Sequence, residues 1–391
     1  MAIRIVHVVE AFGVGGGVEN GIANLIERMD RNRFEHILCA VFRLGPATER
    51  YPSGHIQIVC LEQKERKFAF QVRPLADMIR KLQPDVVHSR NWGALEAVVA
   101  GRWVRGCSVI HSEHGVEMNP AAEPWRRACF RKVAFGLADH VFCVSYQLRD
   151  MLAGLTKFPR RKMAVIHNGV NTVRFRKDPS ARRRTRAELG IADDEFCIGS
   201  VGRLNRIKDY PTLLRAAEAL SRSSASWRLL IVGGGADLQE LEAFVASRPA
   251  LRGRVRFLGA SDRVPEFLNA IDAYVLPSIC EGVSNSLLEA MATALPVIVS
   301  DTGGNPEVVV NGESGLLFPV GGVEELADRL LLLYSDRDMR ERLGQQALRR
   351  VREHFSLDSM VAKYEEMYEN VAGQRAAKRA EVRKALCGSV G

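Results

Sequence analysis

Short apolar runs alternate with helix-period segments along nearly the whole chain, and this rhythm constrains the fold more than any single motif. Strands are predicted at residues 3–9, 36–42, 56–60, 85–89, 108–112, 140–145 and 163–167, with helices at about 19–29, 70–81, 94–104 and 125–135. The first run is nearly all apolar, as a strand buried on both faces must be. It flows straight into glycines, so it reads as a strand and not as a signal peptide. A second series has strands at 196–201, 228–232, 254–258, 273–276, 297–300 and 315–318, and helices at about 210–221, 237–247, 264–268, 286–292 and 305–309. Helices at about 323–334, 339–354 and 357–372 follow, and a basic tail from Gln374 is expected to fray. The arginine-rich, apolar-poor stretch 174–190 is the expected linker. The fold class is therefore α/β: two Rossmann-like doubly wound halves, each a parallel sheet with helices on both faces.

Ligands in such sheets sit at the carboxyl ends of strands, so the strand-end loops carry the candidate residues. At 391 residues the chain is long enough for two cores, and 47% hydrophobic with 26% charged residues is the composition of a soluble globular protein. No apolar run is long enough to span a bilayer. The eight cysteines are scattered without zinc spacing and mostly lie in apolar runs, so reduced thiols in a cytoplasmic protein are expected. A net charge of +9 favours anionic partners. No helix-turn-helix, zinc finger or aromatic RNA-binding signature is present, and nucleic acid is not an expected partner.

The richest loop joins the strand at 273–276 to a helix: Pro277-Ser278-Ile279-Cys280-Glu281-Gly282-Val283-Ser284-Asn285-Ser286-Leu287-Leu288-Glu289. Backbone N–H groups at a helix start form an anion site. A carboxylate on each side, Glu281 and Glu289, suits sugar or ribose hydroxyls that donate hydrogen bonds. Glu289 also lies three residues after Ser286, the spacing of a capping box, so both readings stand. Arg203 and Lys208 follow the strand at 196–201. An arginine fork with a lysine charge suits a diphosphate and its developing charge on departure. Gly233-Gly234-Gly235 is a crevice wall or a tight turn. Around Leu258, backbone groups are placed to read a nucleobase edge. Asn305, with Pro306 after it, fits a helix N-cap.

In the first half, the glycines before Glu19 either admit a ligand to the backbone or merely turn the chain. Polar clusters end three strands: Asn91-Trp92-Gly93, His111 to Gly115, and Ser145-Tyr146. His114 follows a buried strand and precedes glycine where a ligand should lie, whereas His111 and His7 read as packing. Helix 125–135 carries Arg126, Arg127, Arg131 and Lys132 among large apolar residues. It is either an ordinary helix with a solvated face or one that rests on an anionic membrane surface.

The ordered set Gly16-Gly17-Val18-Glu19, His114-Gly115, Asn168-Gly169-Val170, Val201-Gly202-Arg203-Leu204 with Lys208, Phe257-Leu258-Gly259, Glu281 with Glu289, and Asp301-Thr302-Gly303-Gly304 with Glu307 resembles the retaining glycosyltransferases of family four, which have the GT-B fold. The segments around His88-Ser89-Arg90-Asn91 and His111 to Gly115 look further like sugar transferases of bacterial exopolysaccharide and exosortase systems. The resemblance implies two Rossmann-like domains facing a cleft: residues 1–172 binding acceptor, 190–355 binding a nucleotide sugar, helix 356–375 crossing back, and a basic tail at 376–391. It implies that Arg203 and Lys208 hold the donor diphosphate and that Glu281 contacts the hexose. The N–H groups of Gly282, Val283, Ser284, Asn285 and Ser286 hold phosphate and sugar hydroxyls, Glu289 binds the ribose, and His114 lies near the anomeric carbon. Gly16 and Gly17 would approach phosphate, but Gly15 adds one glycine to the pattern, so which of them does so stays open.

The implied reaction is front-face transfer of a hexose, with retention, from a UDP- or GDP-type donor to a hydroxyl of a glycan or lipid-linked acceptor. No cofactor or metal is expected, because Arg203, Lys208 and the helix N-terminus supply the positive charge. Asp336-Arg337-Asp338 matches a metal motif in letters only. The expected location is cytoplasmic, with peripheral attachment to the inner membrane face open. Two alternatives remain at this level: a hydrolase or epimerase of nucleotide sugars on the same fold, and a non-catalytic nucleotide-sugar or phospholipid-binding protein.

Overall fold

The computed structural model describes residues 2–13, 16–45, 48, 56–62, 72–115, 124–221 and 226–388, with the backbone alone for residues 376 and 378–388. The chain divides into two compact units, Met1–His167 with Met360–Gly391, and Asn168–Ser359.

The first unit is built on strands β1 (Ile3–Phe12), β2 (Phe34–Leu44), β3 (Gln57–Cys60), β4 (Val86–Arg90), β5 (Ser108–Glu113), β6 (His140–Cys143) and β7 (Met163–Val165). All pair in parallel in the order β3-β2-β1-β4-β5-β6-β7. Helices α1 (Gly17–Arg28), α2 (Val72–Leu82), α3 (Glu96–Val104), α4 (Trp125–Leu137) and α5 (Tyr146–Thr156) cover the sheet. Val6, Val8, Val87 and Val109 are fully buried from β1, β4 and β5, and they pack with Leu75, Ile79 and Val98 of α2 and α3. Sequence periodicity misses α5. The polar pair Ser145-Tyr146 opens that helix, and the Ser145 hydroxyl accepts from Leu148 N–H at 3.2 Å.

The second unit holds α6 (Pro179–Leu189), β8 (Phe196–Val201), α7 (Tyr210–Leu220), β9 (Trp227–Val232), α8 (Leu238–Ala246), β10 (Val255–Phe257), α9 (Val264–Ala270), β11 (Ala273–Leu276), α10 (Asn285–Ala292), β12 (Val297–Ser300), α11 (Asn305–Val308), β13 (Leu316–Phe318), α12 (Val323–Ser335) and α13 (Arg337–His354). Its six strands are again all parallel, in the order β10-β9-β8-β11-β12-β13. The order reverses between β8 and β11, which makes their carboxyl ends the switch point of the sheet.

The stretch expected as a linker is in fact α6. Asp178 caps it by accepting from the N–H groups of Ser180 and Ala181, Pro179 starts it, and Gly190 at φ 62° ends it. Two of its four arginines are structural. Arg182 and Arg186 both pair with Asp272, at 2.6 and 3.2 Å, and Arg186 also donates to the carbonyl of Ala270 at the end of α9. A low apolar content hid this helix because arginines paired with Asp272, one of them buried, help hold it down.

The last helix, α14 (Leu357–Gly388), packs on the first unit from Met360 onward through Tyr364, Met367, Tyr368 and Val371. The tail expected to fray is helical as far as Gly388, consistent with its run of alanine, lysine, arginine and glutamate. Asp336 serves α13 as an N-cap, accepting from Met339 N–H at 2.8 Å, so the acid of the metal-like triplet has a local use. Asn305 starts α11 from inside it, with Gly304 in the cap position. Its amide donates to the carbonyl of Ser300 at 2.9 Å instead of capping.

Candidate functional site

The switch point of the second sheet brings together loops that are distant in sequence. After β8 the chain makes a short 3-10 turn, Arg206–Lys208, and Asp209 at φ 45° redirects it into α7. The loop after β11 is stitched to that turn by Ile279 N–H donating to Ile207 O at 2.8 Å. Lys208 Nζ thereby reaches Glu281 and donates to its Oε1, and both side chains are largely shielded from solvent. Ser278 Oγ donates to the same oxygen at 2.7 Å. Oε1 is therefore used to hold the lysine, while Oε2 of Glu281 and two ammonium protons of Lys208 remain for a ligand.

A third loop, after β12, braces this pair from behind. Gly304 N–H donates to Glu281 O at 3.1 Å, and Thr302 Oγ1 donates to Ile279 O at 3.0 Å. Gly303 has φ 59°, and a Cβ there would lie 2.0 Å from Glu281 O. Only glycine meets both the left-handed conformation and that approach. Asn168 adds a further tie, its Nδ2 donating to Val283 O at 2.9 Å. The resemblance includes Asn168 in its Asn168-Gly169-Val170 motif, but the spacing carries no sign of this contact.

The capping-box reading of Glu289 fails. Helix α10 starts at Asn285 with Ser284 in the cap position and makes no side-chain cap hydrogen bond. The Ser286 hydroxyl is instead engaged by Tyr274 OH at 2.8 Å and by Ser284 Oγ at 3.1 Å. Ser284 in the cap position makes no side-chain cap hydrogen bond to the first turn of α10, which suits a helix start that receives an anion. The Glu289 carboxylate has no hydrogen-bond partner among the described residues. The residue is half-buried. Burial pushes its pKa up to about 7, against a smaller pull downward from Arg174.

Arg203 shares the β8 loop with Lys208, is exposed, and has no side-chain hydrogen bond or ion pair among the described residues. Leu258 gives its N–H to Ile231 O at 2.9 Å, which leaves its carbonyl as the backbone group to offer a base. Gly233 is a packing glycine. At φ 145° a Cβ there would meet Gly202 O at 1.9 Å, and its own N–H donates to Gly259 O. The triple glycine is thus explained largely by close approach of β9's end to the β8 loop. Gly282, Val283 and Ser284 are buried, while Asn285 and Ser286 are half-buried at the mouth of α10.

In the first unit, His114 lies just past β5, half-buried, with Nε2 2.8 Å from Ser112 Oγ. Its backbone N–H donates to Asn91 Oδ1 at 2.7 Å, and Asn91 N–H donates to Ser112 O at 2.8 Å. Asn91 does this from φ 58°, ψ 177°, a conformation otherwise left almost entirely to glycine. Strain of this kind is retained only where the surroundings over-determine it, and here it holds His114 in place. Burial and the Arg90 charge push His114 down to about 3, so it is neutral. His111 and His7 are fully buried, as their strand positions suggest. Gly16 precedes α1, and a Cβ there would meet nothing within 4 Å, so the loop is open at that point. Gly17 is the first residue of α1, while Gly15 lies outside the described residues. Glu19 is buried and accepts from Gly13 N–H at 3.1 Å, so the acid of this loop is used to close it.

Helix α4 divides its cations. Arg131 is buried and paired with Glu113, and Arg127 stacks on Trp92 at 4.8 Å. Arg126, Lys132, Trp125 and Val133 remain exposed. Among the described residues no helix is long and apolar enough to cross a membrane.

Two Rossmann-like parallel-sheet units of this topology define the GT-B architecture. The Anabaena protein HepE in complex with UDP has the same fold, with a TM-score of 0.81 and 20% identity, over 95% of this chain and 100% of that one. Residues 15–174 match the model described as "Glycosyltransferase Family 4", and residues 181–350 match "Glycosyl transferases group 1". The GDP-mannose-dependent alpha-(1-6)-phosphatidylinositol monomannoside mannosyltransferase of Mycobacterium tuberculosis is 31% identical over 65% of this chain and 68% of its own length. The D-inositol 3-phosphate glycosyltransferase of Nocardia farcinica is 31% identical over 68% of this chain, and the matched stretch spans 62% of that enzyme's length. The chain belongs to the family 4 glycosyltransferases.

Proposed function

We propose that this protein is a retaining, metal-independent hexosyltransferase that moves a sugar from a UDP- or GDP-type donor to a hydroxyl of a glycan or lipid-linked acceptor. The observation that carries the proposal is the convergence at one switch point of the Lys208–Glu281 pair, the uncapped start of α10 and the unpartnered carboxylate of Glu289. Each has what a nucleotide sugar lacks: cations and N–H donors for the diphosphate, acceptors for the hydroxyls. Relatives that use GDP-mannose and a neighbour that binds UDP support both donor types.

In this reading Lys208, Arg203 and the α10 N–H groups neutralise the diphosphate as the bond from the anomeric carbon to its oxygen breaks. The acceptor oxygen bonds to the same face of that carbon. Its proton passes to an oxygen of the departing diphosphate, so that no protein base is consumed. Glu281 Oε2 receives a hexose hydroxyl, Glu289 receives the ribose hydroxyls, Leu258 O meets the base, and His114 offers a ring N–H to the sugar.

The test is release of nucleoside diphosphate from a panel of sugar donors, with and without an acceptor extract, followed by the anomeric configuration of the product. Acceptor-dependent release with retained configuration is expected. Release that yields free sugar without acceptor would replace the proposal with hydrolysis, and tight binding without turnover would replace it with a binding protein.

For a lipid-linked acceptor the exposed Trp125, Arg126, Lys132 and Val133 of α4 form the surface that would meet an anionic membrane. Replacing Arg126 and Lys132 with alanine is expected to lower co-sedimentation with phosphatidylglycerol vesicles several-fold at low salt. Arg131 is unsuitable for this test because its loss would strand Glu113. Absence of vesicle binding by the unaltered protein would remove the membrane from the reading.

A further inference from the structure

A buried hydrogen-bonded chain in the first unit ends at His114. Tyr368, on α14, lies 2.7 Å by its hydroxyl from His88 Nδ1. His88 Nε2 lies 2.9 Å from Ser112 Oγ, and Ser112 Oγ lies 2.8 Å from His114 Nε2. Tyr368, His88 and Ser112 are completely buried. We propose that Tyr368, acting through His88 and Ser112, is a positioning residue that keeps the His114 proton on Nδ1 and presents that N–H outward.

The direction of the chain follows from counting donors and acceptors. Every group in it is neutral, because burial and the nearby Arg90 charge hold His88 and His114 far below their ordinary pKa and burial raises that of Tyr368. Each imidazole then has one donor and one acceptor nitrogen. The phenol proton has one acceptor among the described residues, His88 Nδ1. If Tyr368 donates there, His88 must carry its proton on Nε2 and donate to Ser112. The Ser112 proton then goes to His114 Nε2, and the His114 proton is left on Nδ1, which has no partner among the described residues. The reverse order strands the Tyr368 proton in a fully buried site without an acceptor, a loss the forward order avoids. The Arg90 charge pulls the Tyr368 pKa down against the larger rise from burial. The same arginine orders a second branch by donating to His7 Nδ1 at 2.9 Å, so that His7 Nε2–H faces His36 Nδ1 at 2.8 Å.

A phenol 280 residues away in sequence from His88 thus decides which nitrogen of His114 is the donor. The tautomer follows from this geometry and from the neutrality of the buried groups, while its effect on turnover rests on the glycosyltransferase reading.

The test uses the full-length protein with nitrogen-15-labelled histidine. Long-range proton–nitrogen spectra at pH 7, with the His114 signals assigned by their loss in His114→Gln, are expected to show His114 protonated on Nδ1. In Tyr368→Phe and, independently, Ser112→Ala, the chain is broken at different links. His114 should then shift toward the Nε2-protonated form, and donor turnover should fall about tenfold in kcat with little change in KM. Wild-type His114 protonated on Nε2 would overturn the proposal, as would an unchanged tautomer in both variants. Should no donor be turned over by the unaltered protein, the functional reading fails, and the spectra still decide the tautomer.

Discussion

Lys208→Ala is expected to lower kcat for sugar transfer by about 10²-fold or more, the scale on which single preorganised charge-stabilising groups act. The reason lies in the two positions that Lys208 serves at once. It is pinned by Glu281, itself held by Ser278, so the ammonium group is already oriented before any ligand arrives. A preorganised cation costs no reorganisation when negative charge develops on the leaving diphosphate. Removing it also leaves Glu281 shielded from solvent without its counter-ion, which raises KM by repelling the same diphosphate. Lys208→Arg keeps the charge but replaces a compact ammonium with a planar fork, and it is expected to recover only part of the rate. Steady-state kinetics at saturating donor, with melting curves to confirm folding, make the measurement. Turnover equal to that of the unaltered protein would remove Lys208 from the mechanism.

Glu289→Gln is expected to stabilise the ligand-free protein above pH 7 while weakening its hold on donor. The sign follows from linkage. The carboxyl group has a folded pKa of about 7 against 4.5 when unperturbed. Between these values the folded state binds more protons than the unfolded state, so stability falls as pH rises through that window and is flat above it. The gap corresponds to a contribution of about 3 kcal/mol that is fully present below pH 4.5, falls away as pH rises to about 7 and is absent at pH 8. An amide does not ionise, so the variant should melt roughly 5–10 °C higher at pH 8, with the difference vanishing near pH 4.5. A ligand that donates hydroxyls to Glu289 favours the ionised form. Donor binding should therefore release a proton near neutral pH and tighten as pH rises from 6 to 8. Calorimetric titration in buffers of different ionisation enthalpy reads this directly. An intact nucleotide sugar is the right probe, since the terminal phosphate of a free diphosphate titrates in the same range. A variant that melts no higher than its parent at pH 8 would show that Glu289 is not a strained carboxylate.

Glu289 also shows how far local spacing can mislead. Three residues separate it from Ser286, and on the sequence alone a capping box and a ribose contact stand together. The structure separates them because Tyr274, twelve residues before Ser286, takes the serine hydroxyl. Arginine richness misled in the same way at residues 179–189. It looked like solvated linker, yet Arg186 is 2% exposed and serves as the anchor of α6 on Asp272 and the end of α9. Periodicity counts aliphatic residues and is blind to a helix held by a buried arginine.

What the sequence by itself determined is the architecture. Buried parallel strands must be apolar on both faces, and thirteen such runs, separated by helices, leave little choice beyond two doubly wound sheets. It also marked Arg203, Lys208 and Glu281 as strand-end residues and Glu289 on the helix that follows. Only the tertiary structure decided which of them meet. Lys208 and Glu281 are 73 residues apart, and they pair because β8 and β11 are neighbours at the point where strand order reverses. Likewise His88 and Tyr368, 280 residues apart, meet because α14 lays its apolar face on the first unit. Strand order and helix docking are set by long-range packing, and no local pattern of residues encodes them.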